Sequence, residues 1–310
     1  MQDPIARYFH VGLIHPMAYP EVMKGEGPIL ETLTKVLEDE YFGAIEVTWI
    51  KDDAVRAKAA EMLKLAHMDV IFAGQPPLLI GKLDLNAKDE AERKKAVAQC
   101  NSNIDQAYEL GASIIALLSG PDPGDADRLA ATERLSESLC EICKYAESQS
   151  KSKPLTVSLE TFDRTIDKKC LIGPTNEAII LAKAVKAECQ NFGLTVDLSH
   201  QPLLNEPISH MLAKSSDHLV HVHIGNCVMS DASHPAYGDA HPAFGCEGGE
   251  NDVDEVVDFL RGLMDIGYFK KSLPTSMPVI SFEVKPLPGE SSDIVVAGAK
   301  RVLNEAWARV

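Results

Sequence analysis

The chain has 310 residues, of which 45% are hydrophobic and 25% are charged, and its formal net charge is -16 at pH 7. This composition is typical of a globular protein that can bury a large core. The negative charge repels phosphate backbones and anionic membrane surfaces, so it argues against nucleic acid and membranes as partners.

The N-terminal segment MQDPIARYFHVGLI has no basic stretch followed by a long apolar run. Nowhere do about 18 apolar residues occur consecutively, which is the length that spans a bilayer. We therefore expect a cytoplasmic location, and the odd number of cysteines, seven, fits a reducing compartment. Cys140 and Cys143 have redox-like spacing but fall in a helical pattern, and we interpret them as small buried side chains.

Eight short runs rich in Val, Ile and Leu predict β-strands along the chain. They cover residues 8–14, 43–48, 68–73, 113–118, 155–160, 193–198, 219–224 and 278–284. Stretches of helical period lie between them, and the last stretch has an apolar face from Val295 through Leu303 to Trp307. The pattern predicts eight strand and helix pairs.

Eight strands that are each followed by a helix are the pattern of a (β/α)8 TIM barrel, in which functional residues lie at the C-terminal ends of the strands. A doubly wound open sheet is the alternative architecture, but no GxGxxG follows the first strand and no composition break divides the chain. We predict an α/β fold, a single TIM barrel domain over residues 1–310 with a long loop after strand seven.

Four of the later strands each end in a side chain that can bind a metal ion. These are Glu160 in VSLETFD, Asp197 in TVDLSH, His223 in VHVHIG and Glu283 in VISFEVK. A buried carboxylate is costly unless it is paired or coordinated, so the set predicts one divalent-metal site. Three carboxylates and an imidazole suit Mn²⁺ first, with Mg²⁺, Co²⁺ or Zn²⁺ as alternatives.

The predicted site suits proton transfer at carbon. A divalent cation polarises a carbonyl and its neighbouring hydroxyl, which acidifies the adjacent C–H, and a nearby carboxylate can then take the proton. Glu160 and Glu283 come from strands five and eight, so we expect them to approach the substrate from different sides as an acid and base pair. This chemistry predicts an isomerase or epimerase that passes through an enediolate. A lyase or dehydratase shares the first step and stays open as an alternative.

The segments SLET, VDLSH, HVHIGN and SFEVKP resemble the sugar isomerase and epimerase superfamily with xylose-isomerase-like barrels. That group includes ketose 3-epimerases, inosose dehydratases and the endonuclease IV type of DNA repair enzyme. The resemblance covers nearly the whole chain through its strand order. It implies that Glu160, Asp197, His223 and Glu283 hold the metal, that the two glutamates are the acid and base pair, and that His200 contacts substrate oxygens.

The sequence also departs from relatives within that group. Endonuclease IV relatives carry metal-binding histidines after strands three and four, but those loops read FAGQPP and LLSGPDPG here, so a DNA repair hydrolase is less expected. The loop after strand seven contains Asp239 and His241 in a D-x-H arrangement like the endonuclease's third-metal pair. We interpret it as a substrate lid, with a second metal ion as the alternative. Ketose epimerases often use an arginine in this loop, and none occurs between 225 and 250.

Several further side chains near strand ends are candidates for substrate contact. They are His200, Asp167, Arg164, Lys285, Asp239, His241 and Glu46, with His15, Gln75 and Trp49 as possible pocket-lining residues. Lys285 shares the face of Glu283 and could bind an anionic group or position that glutamate. The carboxylate that ketose epimerases often place six residues after the metal glutamate falls at Ile166 here, so Asp167 is its nearest equivalent.

The expected partner is a small sugar or polyol, and a homo-oligomer is possible. No glycine-rich phosphate cradle follows strands seven and eight, so a phosphate-free polyol, a sugar acid or an oxidised sugar is at least as well supported as a sugar phosphate. Strand alternation places His221 one layer deeper than His223, where we expect a hydrogen-bonded histidine inside the barrel.

Overall fold

An eight-stranded parallel barrel forms the centre of the computed structural model, which describes residues 3–310. The strands are β1 (His10–Leu13), β2 (Ala44–Val47), β3 (Asp69–Ala73), β4 (Ile114–Leu117), β5 (Thr156–Glu160), β6 (Phe192–Asp197), β7 (Leu219–Gly225) and β8 (Val279–Glu283). Each strand falls on a predicted apolar run, which confirms the predicted TIM barrel.

The strands follow one another around the barrel in chain order, and β1 pairs in parallel with β8. The seam between β1 and β2 is closed more sparsely. There the Gly43 amide donates to the Val11 carbonyl at 3.0 Å, and Ile14 forms an isolated parallel bridge with Glu46. All eight C-terminal strand ends therefore meet at one rim, where the sequence places its candidate ligands.

Helices connect consecutive strands. They are α1 (His15–Ala18), α2 (Ile29–Leu37), α3 (Asp53–Ala66), α4 (Gln75–Gly81), α5 (Glu90–Glu109), α6 (Arg128–Gln149), α7 (Thr175–Glu188), α8 (His200–Leu204), α9 (Ile208–Ser215), α10 (Val253–Asp265) and α11 (Ser292–Arg309). Within residues 3–310, none of them combines the length and the apolar composition that crossing a bilayer requires.

The barrel strands are covered on both faces, by side chains inside the barrel and by helices outside it. Strands β2, β4, β5, β6 and β8 are buried along their whole length. Polar residues in these strands therefore have to find partners within the protein. Ser158 on β5 and Thr195 on the neighbouring strand β6 are partners of one another, with their hydroxyl oxygens 2.6 Å apart.

The long loop after β7, residues 226–252, is tied to the barrel at both ends. Asn226 accepts a hydrogen bond from the Asn251 amide at 2.8 Å, and its own side-chain nitrogen donates to the Ala243 carbonyl at 2.9 Å. Asn251 in turn donates to the Gly225 carbonyl at 3.0 Å. These bonds hold the two ends of the loop together and direct its middle toward the rim.

Candidate metal centre

Four side chains converge at the C-terminal rim of the barrel. Glu160, Asp197 and Glu283 are the last residues of β5, β6 and β8, and His223 lies opposite Asp197 in the β6–β7 register. One ligand atom from each of the four lies within 4.8 Å of the others. The geometry brings together the four residues that the sequence predicts as ligands, and all four are buried.

The donor atoms of this cluster fit a divalent cation. His223 Nδ1 lies 3.0 Å from Glu160 Oε1 and 3.0 Å from Glu283 Oε2. Glu283 Oε2 is buried, and despite the nearness of His223 Nδ1 it accepts no hydrogen bond of regular geometry among the described residues. Burial raises the pKa of Asp197, and the nearby charge of Glu283 raises it further, although His200 and His241 oppose this shift. Three oxygen ligands and one imidazole nitrogen are the set that hard or borderline divalent ions take.

Glu46 lies directly beneath His223. Its Oε1 atom is 3.2 Å from His223 Nε2 and 2.7 Å from His221 Nε2, so it contacts both histidines of β7. Burial alone would raise the pKa of Glu46, but the charges of His223 and His221 hold it well below its usual range. His221 lies in the deeper layer that strand alternation predicts. Glu46 therefore fixes the orientation of the His223 ring, with Nδ1 turned toward the other candidate ligands.

A second group of polar side chains lies beside the four candidate ligands. Asp239 Oδ1 is 3.0 Å from His200 Nε2 and 2.9 Å from His241 Nε2, and His200 Nδ1 is 2.7 Å from the Thr161 carbonyl oxygen. His241 Nε2 is also 3.3 Å from Glu283 Oε1. Burial opposes protonation of both histidines, but the surrounding carboxylates raise the pKa of His200 to about 10 and that of His241 to about 9.

His241 has a φ of 52°, in the left-handed region that costs a non-glycine residue about 1 kcal/mol or more. The glycine at the end of β7, Gly225, leaves room for it. A Cβ atom on Gly225 would lie 2.5 Å from the Glu283 carbonyl oxygen and 3.0 Å from His241 Nδ1. The close approach of β7 to the β8 backbone and to the His241 ring therefore requires glycine at this position.

Sequence reasoning missed Lys168, which extends into the centre from the loop after β5. Its ammonium group bonds Asp167 Oδ2 at 2.8 Å and Asp239 Oδ2 at 3.0 Å. The loop that carries it is held by Asp163, whose carboxylate accepts the amides of Ile166, Asp167 and Lys168 at 2.5, 2.9 and 2.8 Å. An Asp followed by turn-forming residues is a recognisable signal for such a loop, but it does not show where the lysine points.

A cavity of about 170 Å³ opens above the candidate ligands. Its polar lining consists of Glu46, Gln75, Glu160, Lys168, Asp239, His241, Glu283 and Lys285. Asp197, His223 and His200 lie beneath this surface. Gln75 donates to Glu160 Oε2 at 2.7 Å and so orients that glutamate. The size of the cavity suits a small metabolite, since cavities for drug-sized ligands are larger.

Two residues expected to contact substrate are placed elsewhere. Arg164 does not line the cavity, because its guanidinium pairs with Glu177 at 2.9 Å and also donates to the Leu171 carbonyl. Asp167 is also outside the lining, since its carboxylate is bound to Lys168 and lies 3.3 Å from the Asp239 amide. Both residues organise the loop after β5.

Of the three residues predicted as possible pocket-lining residues, one lines the cavity and two do not. Gln75 lines the cavity, whereas His15 and Trp49 do not. The His15 ring is buried beside α2, with Nε2 2.8 Å from Thr32 Oγ1, and the Trp49 indole donates to the Met23 carbonyl at 3.1 Å. Both side chains turn away from the cavity, since the partner of His15 lies in α2 and that of Trp49 lies in the loop before α2.

The fold and the site define a TIM barrel with a cluster of metal-type ligands at its C-terminal rim. The family described as "Xylose isomerase-like TIM barrel" matches residues 37–285. The chain belongs to this family, as the motifs at the four strand ends predict. No curated protein matches the sequence.

Solved structures share this fold over nearly the whole chain. A D-tagatose 3-epimerase-like protein is 17% identical, with a TM-score of 0.70 over 97% of this chain and 99% of that one. The IolI protein with a bound zinc atom is 14% identical, with a TM-score of 0.73 and coverage of 97% and 99%. D-psicose 3-epimerase with D-tagatose, from Clostridium cellulolyticum H10, is 18% identical, with a TM-score of 0.64 and coverage of 97% and 96%.

Proposed function

We propose that this protein is a divalent-metal-dependent isomerase or epimerase that acts on a sugar or sugar derivative through an enediolate. Glu160, Asp197, His223 and Glu283 would hold one divalent cation, with Mn²⁺ as the first candidate. Membership of the xylose isomerase-like family supports an enzymatic role. Two structural neighbours, a D-tagatose 3-epimerase-like protein and a D-psicose 3-epimerase, support the reaction class.

One observation carries this proposal. Glu160 and Glu283 both line the cavity, whereas the other two candidate ligands, Asp197 and His223, lie beneath its surface. The two glutamates come from strands β5 and β8, which are separated in the barrel by β6 and β7. A substrate in the cavity would therefore meet one carboxylate on each side of the same carbon, which is the arrangement that proton removal and return require.

The two glutamates have different neighbouring side chains. Gln75 donates to Glu160 Oε2 through a neutral amide that does not take part in proton transfer. This hydrogen bond fixes the direction of the Glu160 carboxylate. Glu283 Oε1 faces His241 Nε2 at 3.3 Å, an imidazole that can carry a proton. A bound cation would polarise the substrate carbonyl and its adjacent hydroxyl. Either glutamate could then take the proton, and the other, on the opposite side, would return it.

The Asp239 group is better explained as part of the substrate enclosure than as a second metal site. Lys168 already supplies positive charge to Asp239 Oδ2 at 3.0 Å. His200 and His241 occupy its other oxygen at 3.0 and 2.9 Å. This network holds the loop after β7 over the cavity, where Asp239 and His241 can contact substrate hydroxyls.

Isotope exchange tests the proposed reaction. The Mn²⁺-loaded protein is incubated in D₂O with D-tagatose and D-psicose, and NMR follows deuterium incorporation at carbon. We expect exchange in the wild type and a loss of at least about 100-fold in Glu160→Gln and Glu283→Gln, since general acid and base catalysis contributes about that much. Metal content is measured in parallel. Glu147→Gln, an exposed carboxylate on α6, is the matched control.

Unchanged exchange in both site variants would refute the acid and base roles. Release of water without isotope exchange into the sugar would instead identify a lyase or dehydratase. The metal assignment would be contradicted if the wild type bound no divalent cation, so that its metal content equalled that of Glu147→Gln and of both site variants.

A further inference from the structure

The upper wall of the cavity is apolar, in contrast to its floor. Side chains of Ile14, Met17, Met23, Leu79, Ile80 and Phe162 form this wall. Leu79 and Ile80, on α4, are each 44% exposed, although large aliphatic side chains are usually buried. Their exposure beside the candidate active site indicates a surface that an apolar part of a ligand would cover.

The polar groups of the cavity are gathered on its floor, away from this wall. Glu46, Glu160, Asp239, His241 and Glu283 have partners within the cluster described above, and the atoms still without a partner, such as Glu46 Oε2 and Glu283 Oε2, belong to this floor. A sugar with a hydroxyl on every carbon would therefore place its outer hydroxyls against thioether and hydrocarbon groups. Polar groups that lose water without gaining a hydrogen bond are costly, so this wall selects against a fully hydroxylated chain.

Lys285 is the exception among the cationic residues of the cavity. Lys168 is neutralised by Asp167 and Asp239, at 2.8 and 3.0 Å. The Lys285 ammonium group has no carboxylate within 4.0 Å and no hydrogen-bond acceptor among residues 3–310. The backbone of Lys285 is held beside the cavity, because its amide donates to the His241 carbonyl at 2.7 Å. In a protein with a net charge of -16, an ammonium group without a carboxylate partner can bind an anionic group of a ligand.

We propose that the substrate of this site is a small acid, with an α-hydroxyketone end on the floor and a carboxylate on Lys285. A sparsely hydroxylated carbon chain joins the two ends and lies along Met17, Met23, Leu79 and Ile80. The proposed function supplies only the position of the reacting end. The acid itself is inferred from Lys285 and the apolar wall.

A carboxylate fits Lys285 better than a phosphate does. Phosphate sites usually combine several backbone amides or a helix N-terminus, and Lys285 supplies a single point charge. The cavity also contains four carboxylate side chains, Glu46, Glu160, Asp239 and Glu283. These would repel a dianion more strongly than a monoanion.

Four matched probes separate charge from hydroxylation. 6-Hydroxy-5-oxohexanoate carries the carboxylate and an unhydroxylated chain, and its amide removes only the charge. 5-Keto-D-gluconate keeps the carboxylate and adds three hydroxyls, and L-sorbose has the hydroxyls without the carboxylate. Dihydroxyacetone phosphate serves as the phosphate probe. Dissociation constants are measured by calorimetry on the Mn²⁺-loaded protein, and the same titrations follow on the variants.

We expect 6-hydroxy-5-oxohexanoate to bind at least about tenfold more tightly than its amide, 5-keto-D-gluconate or dihydroxyacetone phosphate. Lys285→Met should remove the preference for the acid over the amide and leave binding of the amide unchanged. Lys285→Arg should preserve the preference. Leu79→Asn should weaken both deoxy probes equally. Lys151→Met makes the same change of net charge on an exposed loop and should have no effect.

Equal affinity for the acid and the amide, no binding of the acid, or tighter binding of the phosphate probe would each overturn the proposal. Loss of binding for all probes in Lys285→Met, but not in Lys285→Arg or Lys285→Gln, would also contradict a specific charge contact. These outcomes are distinct from failure of the proposed function. Tight, Lys285-dependent binding of the acid, without deuterium exchange in the acid, D-tagatose or D-psicose, would leave the acid site intact and refute the isomerase or epimerase.

Discussion

Glu46 connects the barrel interior to the candidate metal centre. It is fully buried on β2, yet it contacts two histidines of β7 on the far side of the seam. A side chain that holds a metal-binding imidazole in one orientation typically contributes about 10–100-fold to metal affinity. The structure therefore gives Glu46 a positioning role, and its place in the cavity lining is secondary.

We predict that Glu46→Gln lowers the affinity for Mn²⁺ by about 10-fold or more. The substitution removes the negative charge that faces His221 and His223, so the His223 ring is held less firmly. Calorimetric titration of chelator-treated protein measures the change. The control is Glu147→Gln, and far-UV circular dichroism checks that the barrel is intact. Wild-type affinity in the folded variant would show that Glu46 does not position His223.

The four candidate ligands could be predicted because each lies where a strand ends, and strand ends of a parallel barrel share a rim. The partners of loop residues were not predictable in this way. Arg164 follows a candidate ligand closely in sequence but pairs with Glu177 in α7, whereas Lys168 turns back to Asp239. Which side chain enters the cavity depends on the path of the loop, and that path is set by Asp163.

At the scale of elements, the loop after β5 shows how one carboxylate orders a functional segment. Asp163 is fully buried and accepts three successive backbone amides. The loop then directs Lys168 to Asp239, which belongs to the loop after β7. Two loops that are distant in sequence are joined by the contacts of Lys168 and Asp167 with Asp239.

We predict that Asp163→Ala lowers the free energy of unfolding by about 2–4 kcal/mol, because it leaves backbone amides without their charged acceptor. Catalysis should fall as well, since Lys168 loses its fixed approach to Asp239. Urea unfolding and the isotope exchange assay measure the two effects. Asp125→Ala, an exposed aspartate in the loop before α6, is the control. Unchanged stability would contradict the role of Asp163 in ordering the loop.

The long helices and all strands could be predicted from periodicity, but α1 and α4 could not. They contain four and seven residues, and both begin with proline in the first turn. Such short segments do not complete enough turns to show a hydrophobic period, so their sequences resemble loops. Because α4 carries Leu79 and Ile80, the apolar wall of the cavity also escaped prediction.

At the scale of the whole molecule, the rim concentrates negative charge that the fold does not fully balance. The buried carboxylates are Glu46, Glu160, Asp197, Asp239 and Glu283, and they face His200, His221, His223 and His241. Without a cation, the carboxylates raise the pKa of His200 to about 10 and of His241 to about 9, so these imidazoles hold protons. A divalent cation would compete with those protons.

We predict that Mn²⁺ affinity increases as the pH rises toward 9, because His241 and then His200 lose the protons that oppose the cation. Stability of the metal-free protein should show the opposite trend. Raised histidine pKa values stabilise the fold fully below the unfolded-state value of 6.5, and this contribution is lost as the pH rises through about 9 and 10.

Thermal unfolding of chelator-treated and Mn²⁺-loaded protein at several pH values measures both trends. The melting temperature of the metal-free protein should fall as the pH passes from 7 toward the histidine pKa values of about 9 and 10, and that of the loaded protein should fall less. Calorimetry in buffers of different ionisation enthalpy should detect proton release on binding. Parallel pH profiles with and without Mn²⁺ would contradict this charge balance.

The asparagine pair at the base of the loop after β7 has a consequence for how such barrels diversify. Asn226 and Asn251 bond to each other, so the segment between them leaves and re-enters the scaffold at one point. The two ends of this loop lie side by side, so a replacement loop of different length would have to span the same short distance. Residues 227–250 thus form a loop that can be replaced as a unit. Ligand preference could evolve by replacing it while the strands beneath stay unaltered.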